Sequence, residues 1–273
     1  MATIRHSSRD WVMRAPPSSR MERIEAYFSG RGYDFHRHDT YAIGRTLAGV
    51  QSFHYRGALR HSLPGGSMVL HPDELHDGQA GDRDGFRYRM IYVQPALLQQ
   101  ALGGRALPYI DTGLSQDPRL FRTIDALLRG MDRHLDNLEE DDALYDLAQA
   151  MSAVAGTRRG RRSFDFAGAE RARELILASL ERTVTLDELA AASGNDRWSL
   201  SRDFRALYGT SPYRYLTMRR LELVRKLAAG GAELASAAAT AGFSDQSHMT
   251  RHFVRAYGLP PGAWLRMLRA RTR

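Results

Sequence analysis

The 273-residue sequence predicts a two-domain protein, an all-β barrel with trailing helices followed by an all-α domain with two helix-turn-helix units. Three observations carry that expectation. Residues 33–93 are short apolar or alternating runs cut by glycine, proline and aspartate, helical periodicity takes over from Pro118, and a stretch of the C-terminal half recurs 49 residues later. The length permits the division, being enough for two cores of ordinary size.

Composition narrows the function classes. Hydrophobic residues at 43% and charged residues at 26% suit a globular protein, and no apolar run approaches the ~18 residues of a membrane span. The first twenty residues carry Arg5, Arg9, Arg14 and Arg20 and lack the apolar core of a secretory signal, so a cytoplasmic protein with no membrane partner is expected. With no cysteine, disulfides, thiolate metal sites, iron–sulfur clusters and cysteine nucleophiles are excluded. No phosphate-cradling glycine loop and no serine nucleophile elbow is present, so a non-enzyme without a cofactor is expected. The net charge of +8 is unevenly placed: from Thr157 onward 21 basic residues face 11 acidic ones, against 18 and 20 before it. A polyanionic partner for the C-terminal half follows.

In chain order, residues 1–20 read as an arm and 21–116 as the barrel. Tyr41-Ala-Ile-Gly, Ser67-Met-Val-Leu and Tyr88-Arg-Met-Ile-Tyr-Val are strand-like, with turns at Leu63-Pro-Gly-Gly and Gly81-Asp-Arg-Asp-Gly. Residues 117–156 form a helical connector. Leu120, Ile124, Leu127, Leu128, Met131, Leu135 and Leu138 mark one amphipathic helix, and Leu144, Leu147, Met151 and Val154 another. The first stripe serves equally as a dimer face or as packing on its own barrel. Residues 157–163, within Gly156-Thr-Arg-Arg-Gly-Arg-Arg-Ser, read as the linker, and 164–273 as the all-α domain.

The repeat aligns Leu200-Ser-Arg-Asp-Phe-Arg-Ala-Leu-Tyr-Gly with Met249-Thr-Arg-His-Phe-Val-Arg-Ala-Tyr-Gly. Before each copy stands a short alanine-rich helix and a glycine turn, Leu186 to Gly194 and Leu234 to Gly242, with Asp196 and Ser244 as candidate caps of the helix that follows. Leu200, Phe204 and Leu207, and likewise Met249, Phe253 and Ala256, form an inward stripe. The opposite face carries Trp198, Ser199, Ser201, Arg202 and Arg205 in the first copy and Gln246, Ser247, His248, Thr250, Arg251 and Arg255 in the second. Arginine forks onto guanine, glutamine pairs with adenine and hydroxyls adapt, so these types suit the donor–acceptor pattern of the DNA major groove. Pro212 to Ala229 reads as one helix about 27 Å long at ~1.5 Å per residue, spacing the copies on the order of one DNA turn apart.

The stretch Gly242-Phe-Ser-Asp-Gln-Ser-His-Met-Thr-Arg-His-Phe-Val-Arg-Ala-Tyr-Gly-Leu-Pro-Pro, together with the first copy, resembles the signature of the AraC/XylS family of bacterial transcription regulators. The resemblance implies a seven-helix domain that bends double-stranded DNA and reads two adjacent major-groove segments. It makes Trp198, Ser201 and Arg202 base-facing in the first unit and Gln246, Ser247, His248 and Arg251 in the second. Ser199 and Ser201 are smaller than the residues common at those positions, so the first helix is expected to read fewer bases. His36-Arg-His38, Leu63 to His76 and Tyr88 to Pro95 resemble the cupin-like sensory domain often fused to this module. That implies an all-β cupin-like barrel binding a small-molecule effector, helices that make a homodimer, and RNA polymerase as a partner if the output is activation.

Effector candidates inside the barrel are His36, His38, Tyr41, Arg45, His76, Tyr88, Met90 and Tyr92. An inward Arg45 would ask for an anionic group on the effector. His36 and His38, two apart on a strand, would share a face and with His76 could imitate the three-histidine metal site of enzymatic cupins. The residues after His38 read Asp-Thr-Tyr-Ala-Ile-Gly and lack the glutamate of that site, so no metal is expected. A metal-dependent cupin enzyme fused to a DNA-binding module is the alternative.

Overall fold

The computed structural model describes residues 10–18, 20–155 and 163–269, and these group into two compact units, one running up to Ser163 apart from His36–His38, the other comprising His36–His38 and the chain from Phe164 onward. In the first unit the strands are β1 (Trp11–Arg14), β2 (Met21–Phe28), β3 (Arg31–His36), β4 (Tyr41–Gly49), β5 (Gln51–Tyr55), β6 (Ala58–Ser62), β7 (Ser67–Leu70), β8 (His76–Ala80), β9 (Phe86–Val93) and β10 (Leu114–Ser115). They form a six-stranded sheet in the order β1-β2-β9-β4-β7-β10 and a four-stranded sheet in the order β3-β8-β5-β6. The segment expected as an arm thus contributes an edge strand, with Trp11 opposite Tyr27 and Arg14 opposite Ile24.

Strand alternation divides the buried residues into two sets. Phe86, Tyr88 and Met90 of β9 turn into the barrel with Ile24, Phe28, Phe53, Tyr55 and Met68. Ile91 and Val93, with Tyr41 and Ile43 of β4, turn the other way. There they meet α1 (Pro95–Leu102), α2 (Pro118–Arg129) and α3 (Asn137–Ala155) through Leu98, Leu120, Ile124, Leu127, Leu128, Leu144, Leu147 and Met151. Both faces are covered over Tyr41–Gly44 of β4 and toward the Val93 end of β9, which is why those stretches read as apolar runs, whereas Arg87 near the start of β9 is exposed.

The helix expected over Leu120–Leu138 is broken. α2 stops at Gly130, where Arg23 of β2 donates hydrogen bonds to the carbonyls of Leu127, Gly130 and Arg133 and holds the turn. Leu120 to Leu135 pack on the unit's own sheet, so that stripe is not a dimer face, and Leu138, on α3, is left 71% exposed. Except for Ser163, the expected linker lies outside the described residues.

Among the described residues the second unit has seven helices: α4 (Phe166–Leu177), α5 (Leu186–Ser193), α6 (Arg197–Tyr208), α7 (Pro212–Ala229), α8 (Leu234–Thr240), α9 (Gln246–Tyr257) and α10 (Pro261–Arg269). The repeat is α5–α6 and α8–α9. Gly209 and Gly258 end the two copies at φ 74° and 72°, the left-handed conformation that a side chain disfavours. α7 lies between the copies. Phe204 of the first packs edge-on to Tyr215 of α7 at 5.5 Å. Met249 and Phe253 of the second bury against Met218, Leu221 and Val224.

Asp196 caps α6, accepting from the amides of Trp198 and Ser199. The cap of α9 is Asp245, not Ser244: its Oδ1 accepts from the amide of His248 at 2.7 Å, while the Ser244 hydroxyl is turned to side chains. Phe204 and Phe253 are both fully buried. Replacing either by alanine should cost about 3–5 kcal/mol, read as a lower urea midpoint. A loss below about 1 kcal/mol would show that the stripe does not carry the unit's core.

Candidate nucleic-acid interface and effector barrel

With the inner stripes of α6 and α9 buried, helical geometry dictates what faces out. On α6, Trp198 is 81% exposed, Arg202 and Arg205 are exposed, and Ser199 and Ser201 are half-buried. Arg202 Nε lies 3.2 Å from Asp203 Oδ1, and Arg205 donates to the carbonyl of Ser201 at 3.1 Å. On α9, Gln246, Ser247, Arg251 and Arg255 are exposed, while His248 and Thr250 are half-buried. Among the described residues no carboxylate is within ion-pair distance of Arg205, Arg251 or Arg255, so three guanidinium charges stand open on these faces. Hydrogen bonds from the helix amides, those of Ser199 and His248 foremost, hold the capping carboxylates of Asp196 and Asp245 below their usual pKa. Those amides are therefore occupied by the caps.

The sequence missed His252. It stands one turn after His248, half-buried, with its Nε2 atom 3.0 Å from Nε2 of His248. The spacing of four between two histidines was the available signal. Burial first, and then the charges of His248, Arg255, Arg214 and Arg251, lower the His252 pKa.

The effector candidates divide. Tyr88 and Met90 line the barrel interior, with Tyr92 packed against them, and Tyr88 shares a hydroxyl–hydroxyl bond with Tyr33. Burial pushes the phenols of Tyr33, Tyr88 and Tyr92 well above the usual range, so all three are neutral. Tyr41 and Arg45 are corrections. Both stand on the helical side of β4: the Tyr41 hydroxyl donates to the Pro108 carbonyl at 2.8 Å, and Arg45 pairs with Asp125 of α2 at 2.6 Å beside the Phe121 ring. Period two along β4 decides this, and Asp125 supplies the anion that Arg45 was expected to seek in a ligand.

The three histidines are brought together, with a ring nitrogen of each of His36, His38 and His76 within 4.8 Å of the others. His76 Nδ1 donates to the Glu74 carbonyl at 2.9 Å, which places its lone pair on Nε2, the tautomer a metal ligand needs. The residues therefore fit a cation that favours imidazole nitrogen, such as zinc, even without the glutamate. His71, also buried, is held apart from that cluster: it lies 2.5 Å from the Tyr55 hydroxyl through Nδ1 and accepts from the Ile110 amide through Nε2 at 3.0 Å.

Comparison with known proteins follows this division. Residues 19–148 match the AraC-like ligand binding domain, and residues 170–267 match a helix-turn-helix domain. The N-terminal half is thus similar to the ligand-binding domain of AraC-type regulators, and a helix-turn-helix domain follows it. It is 28% identical over 243 residues to the uncharacterized HTH-type transcriptional regulator YbfI of Bacillus subtilis, covering 83% of this chain and 86% of that one. A putative AraC-like transcription regulator of Streptomyces lividans is 39% identical over 82 residues, 30% of this chain and 27% of its own length. ToxT of Vibrio cholerae shares the fold, with a TM-score of 0.64 at 12% identity over 91% of this chain and 99% of that one. Another ToxT structure, with an unsaturated fatty acid bound, has a TM-score of 0.61 at 10% identity over 96% and 97% of the two chains. This AraC-type protein is thus a DNA-binding transcription regulator with a ligand-binding N-terminal domain. Among its described residues no helix is long and apolar enough to cross a membrane.

The lowered pKa of His252 has a measurable consequence. The unfolded chain takes up a proton at higher pH than the folded one, so the contribution of this residue is complete above the ordinary histidine value of about 6.5 and is lost as pH falls below it. Unfolding midpoints should drop on acidification from about pH 7.5 to 5.5, and less steeply in His252→Gln. Equal slopes in the two proteins would remove His252 from the account.

Proposed function

We propose that this AraC-type regulator reads two successive major-groove segments with α6 and α9, and that a small molecule held inside the N-terminal barrel controls the reading. One observation carries the first part: two twelve-residue helices, 49 residues apart in sequence, have their inner stripes buried, and on their outer faces Arg205, Arg251 and Arg255 have no carboxylate partner among the described residues. The 18-residue α7 between them spans about 27 Å, on the order of one turn of DNA. Trp198, Ser199, Ser201, Arg202 and Arg205, then Gln246, Ser247, His248, Thr250, Arg251 and Arg255, are the residues assigned to the contact. Tyr88, Met90 and Tyr92 support the second part, since an apolar wall with neutral phenols suits an effector with an apolar body and one polar group.

A cytoplasmic homodimer without enzymatic activity, engaging RNA polymerase when it activates, completes the proposal. The side chains on the connector that suit self-association are Leu138 and Tyr145 of α3, 71% and 56% exposed and two turns apart. A second reading is favoured by the clustered nitrogens of His36, His38 and His76: a divalent cation bound there forms part of effector recognition, supplying a Lewis-acidic point for a ligand oxygen or nitrogen.

Selection of duplexes from a random library by the full-length protein should return two half-reads about one helical turn apart, bound with affinity that falls steeply as salt rises. Arg251→Ala should cost about 1–3 kcal/mol and relax preference at one base pair. Uniform weakening across sequences would assign Arg251 to phosphate, and selection without a common sequence would overturn the groove reading. Elemental analysis of protein purified without chelator should find about one zinc-class ion per chain under the second reading, and His76→Ala should lose it. Absence of metal after incubation with zinc and desalting ends that reading.

A further inference from the structure

α9 opens with a closed run of hydrogen bonds. The Ser244 hydroxyl donates its single proton to Asp245 Oδ2 at 3.2 Å, the carboxylate being the stronger acceptor within reach. Its oxygen is also 3.0 Å from Nδ1 of His248 and there can only accept, so Nδ1 carries a hydrogen. The lone pair of neutral His248 is then on Nε2, and His252, 3.0 Å away, must donate to it through its own Nε2–H. The ring is boxed in besides, with Phe243 edge-on at 5.6 Å and the His252 ring at 4.8 Å. The backbone is pinned where the His248 amide donates to Asp245 Oδ1.

Both nitrogens of His248 are thus spent inside the second unit, although the residue sits half-buried in the first turn of the helix assigned to the groove. What such a ring offers outward is carbon. Donating to or accepting from a base edge would require breaking one of two well-formed bonds, whereas an apolar contact requires breaking none. The major groove presents one apolar group, the 5-methyl of thymine.

We propose that Ser244 and His252 hold His248 as an apolar reader of a thymine methyl, with His252 as the positioning residue. This rests on α9 facing the bases as proposed above. His252 acts through His248 and touches no base itself. The arrangement requires His252 neutral at neutral pH, consistent with its burial and the arginines around it.

The test uses the full-length protein and the duplex that selection returns. Each thymine is replaced in turn by deoxyuridine, which removes only the methyl, and each purine by its 7-deaza analogue, which removes the N7 acceptor. At one thymine the uracil substitution should weaken the wild type about fourfold, the worth of one buried methyl-sized group. His248→Ala should abolish that penalty. His252→Ala and Ser244→Ala should reduce it by freeing the ring, and His252→Gln, whose amide N–H can still donate to His248 Nε2, should keep it. Salt dependence should be the same in all four variants, since none of these side chains is assigned to phosphate. Thermal unfolding of each variant confirms that the comparison is between folded proteins.

A uracil penalty unchanged in His252→Ala, or a 7-deaza penalty that disappears in His248→Ala, overturns the proposal. A flat uracil scan also overturns it, and Arg251→Ala then separates the two levels. If that variant still relaxes a base preference, α9 faces the bases and only the role of His248 falls. If it does not, the assignment of α9 falls with it.

Discussion

A helix can offer one side to a partner only if its other side is held, and here a fully buried aromatic does the holding in each copy of the repeat. Phe204 and Phe253 are equivalent residues on equivalent helices, and both are spent on a core that includes α7. Removing such a ring from water is worth several times the contribution of any exposed arginine. The apolar stripe therefore sets the rotation of α6 and α9, and the outward positions of Arg202, Arg205, Arg251 and Arg255 follow from it. Gly209 and Gly258 complete the constraint by ending both helices at the same place.

The first unit obeys a different constraint, the two-sidedness of a strand. The adjoining parts of β4 and β9 are buried on both faces, Tyr41–Gly44 and the Val93 end of β9, one set of side chains filling the barrel and the other receiving α1, α2 and α3. A functional side chain on such a strand is assigned by parity alone. Tyr88, Met90 and Tyr92 share the parity of the interior, while Tyr41 and Arg45 share that of Ile43 and face the helices. Arg45 illustrates how a buried guanidinium finds its counter-charge: Asp125 comes from a helix 80 residues away, and the pair fastens α2 to the sheet. Arg23 does similar work at the end of the same helix, where it binds three carbonyls and interrupts what would otherwise read as one long amphipathic stripe.

Histidine plays three parts in this chain, distinguished by what the ring nitrogens meet. His71 is locked between Tyr55 and the Ile110 amide, His248 between Ser244 and His252, and His36, His38 and His76 converge on one another. The chemistry of an imidazole is set by its tautomer, and the tautomer by the partner of the other nitrogen. Identical side chains therefore serve here as core, as helix-face fixture and as a candidate ligand set.

The sequence by itself determined the two-domain architecture, the duplicated helical pair, its glycine stops and the set of residues on its outer faces. Those depend on local periodicity and on backbone conformations that only certain residues adopt, and both are written along the chain. It did not reveal the strand at Trp11–Arg14, whose pairing with β2 is a matter of neighbours and not of composition. Nor could it say that Asp125 answers Arg45, that Asp245 and not Ser244 caps α9, or that His252 reaches His248. Each of these is a choice among partners of similar chemistry, made by distances of about 3 Å, between packed elements for Arg45 and Asp125 and within the folded helix for Asp245 and His252. Tertiary structure decided them because hydrogen bonds and ion pairs depend on geometry to within an ångström, whereas burial depends only on which side of an element a residue occupies.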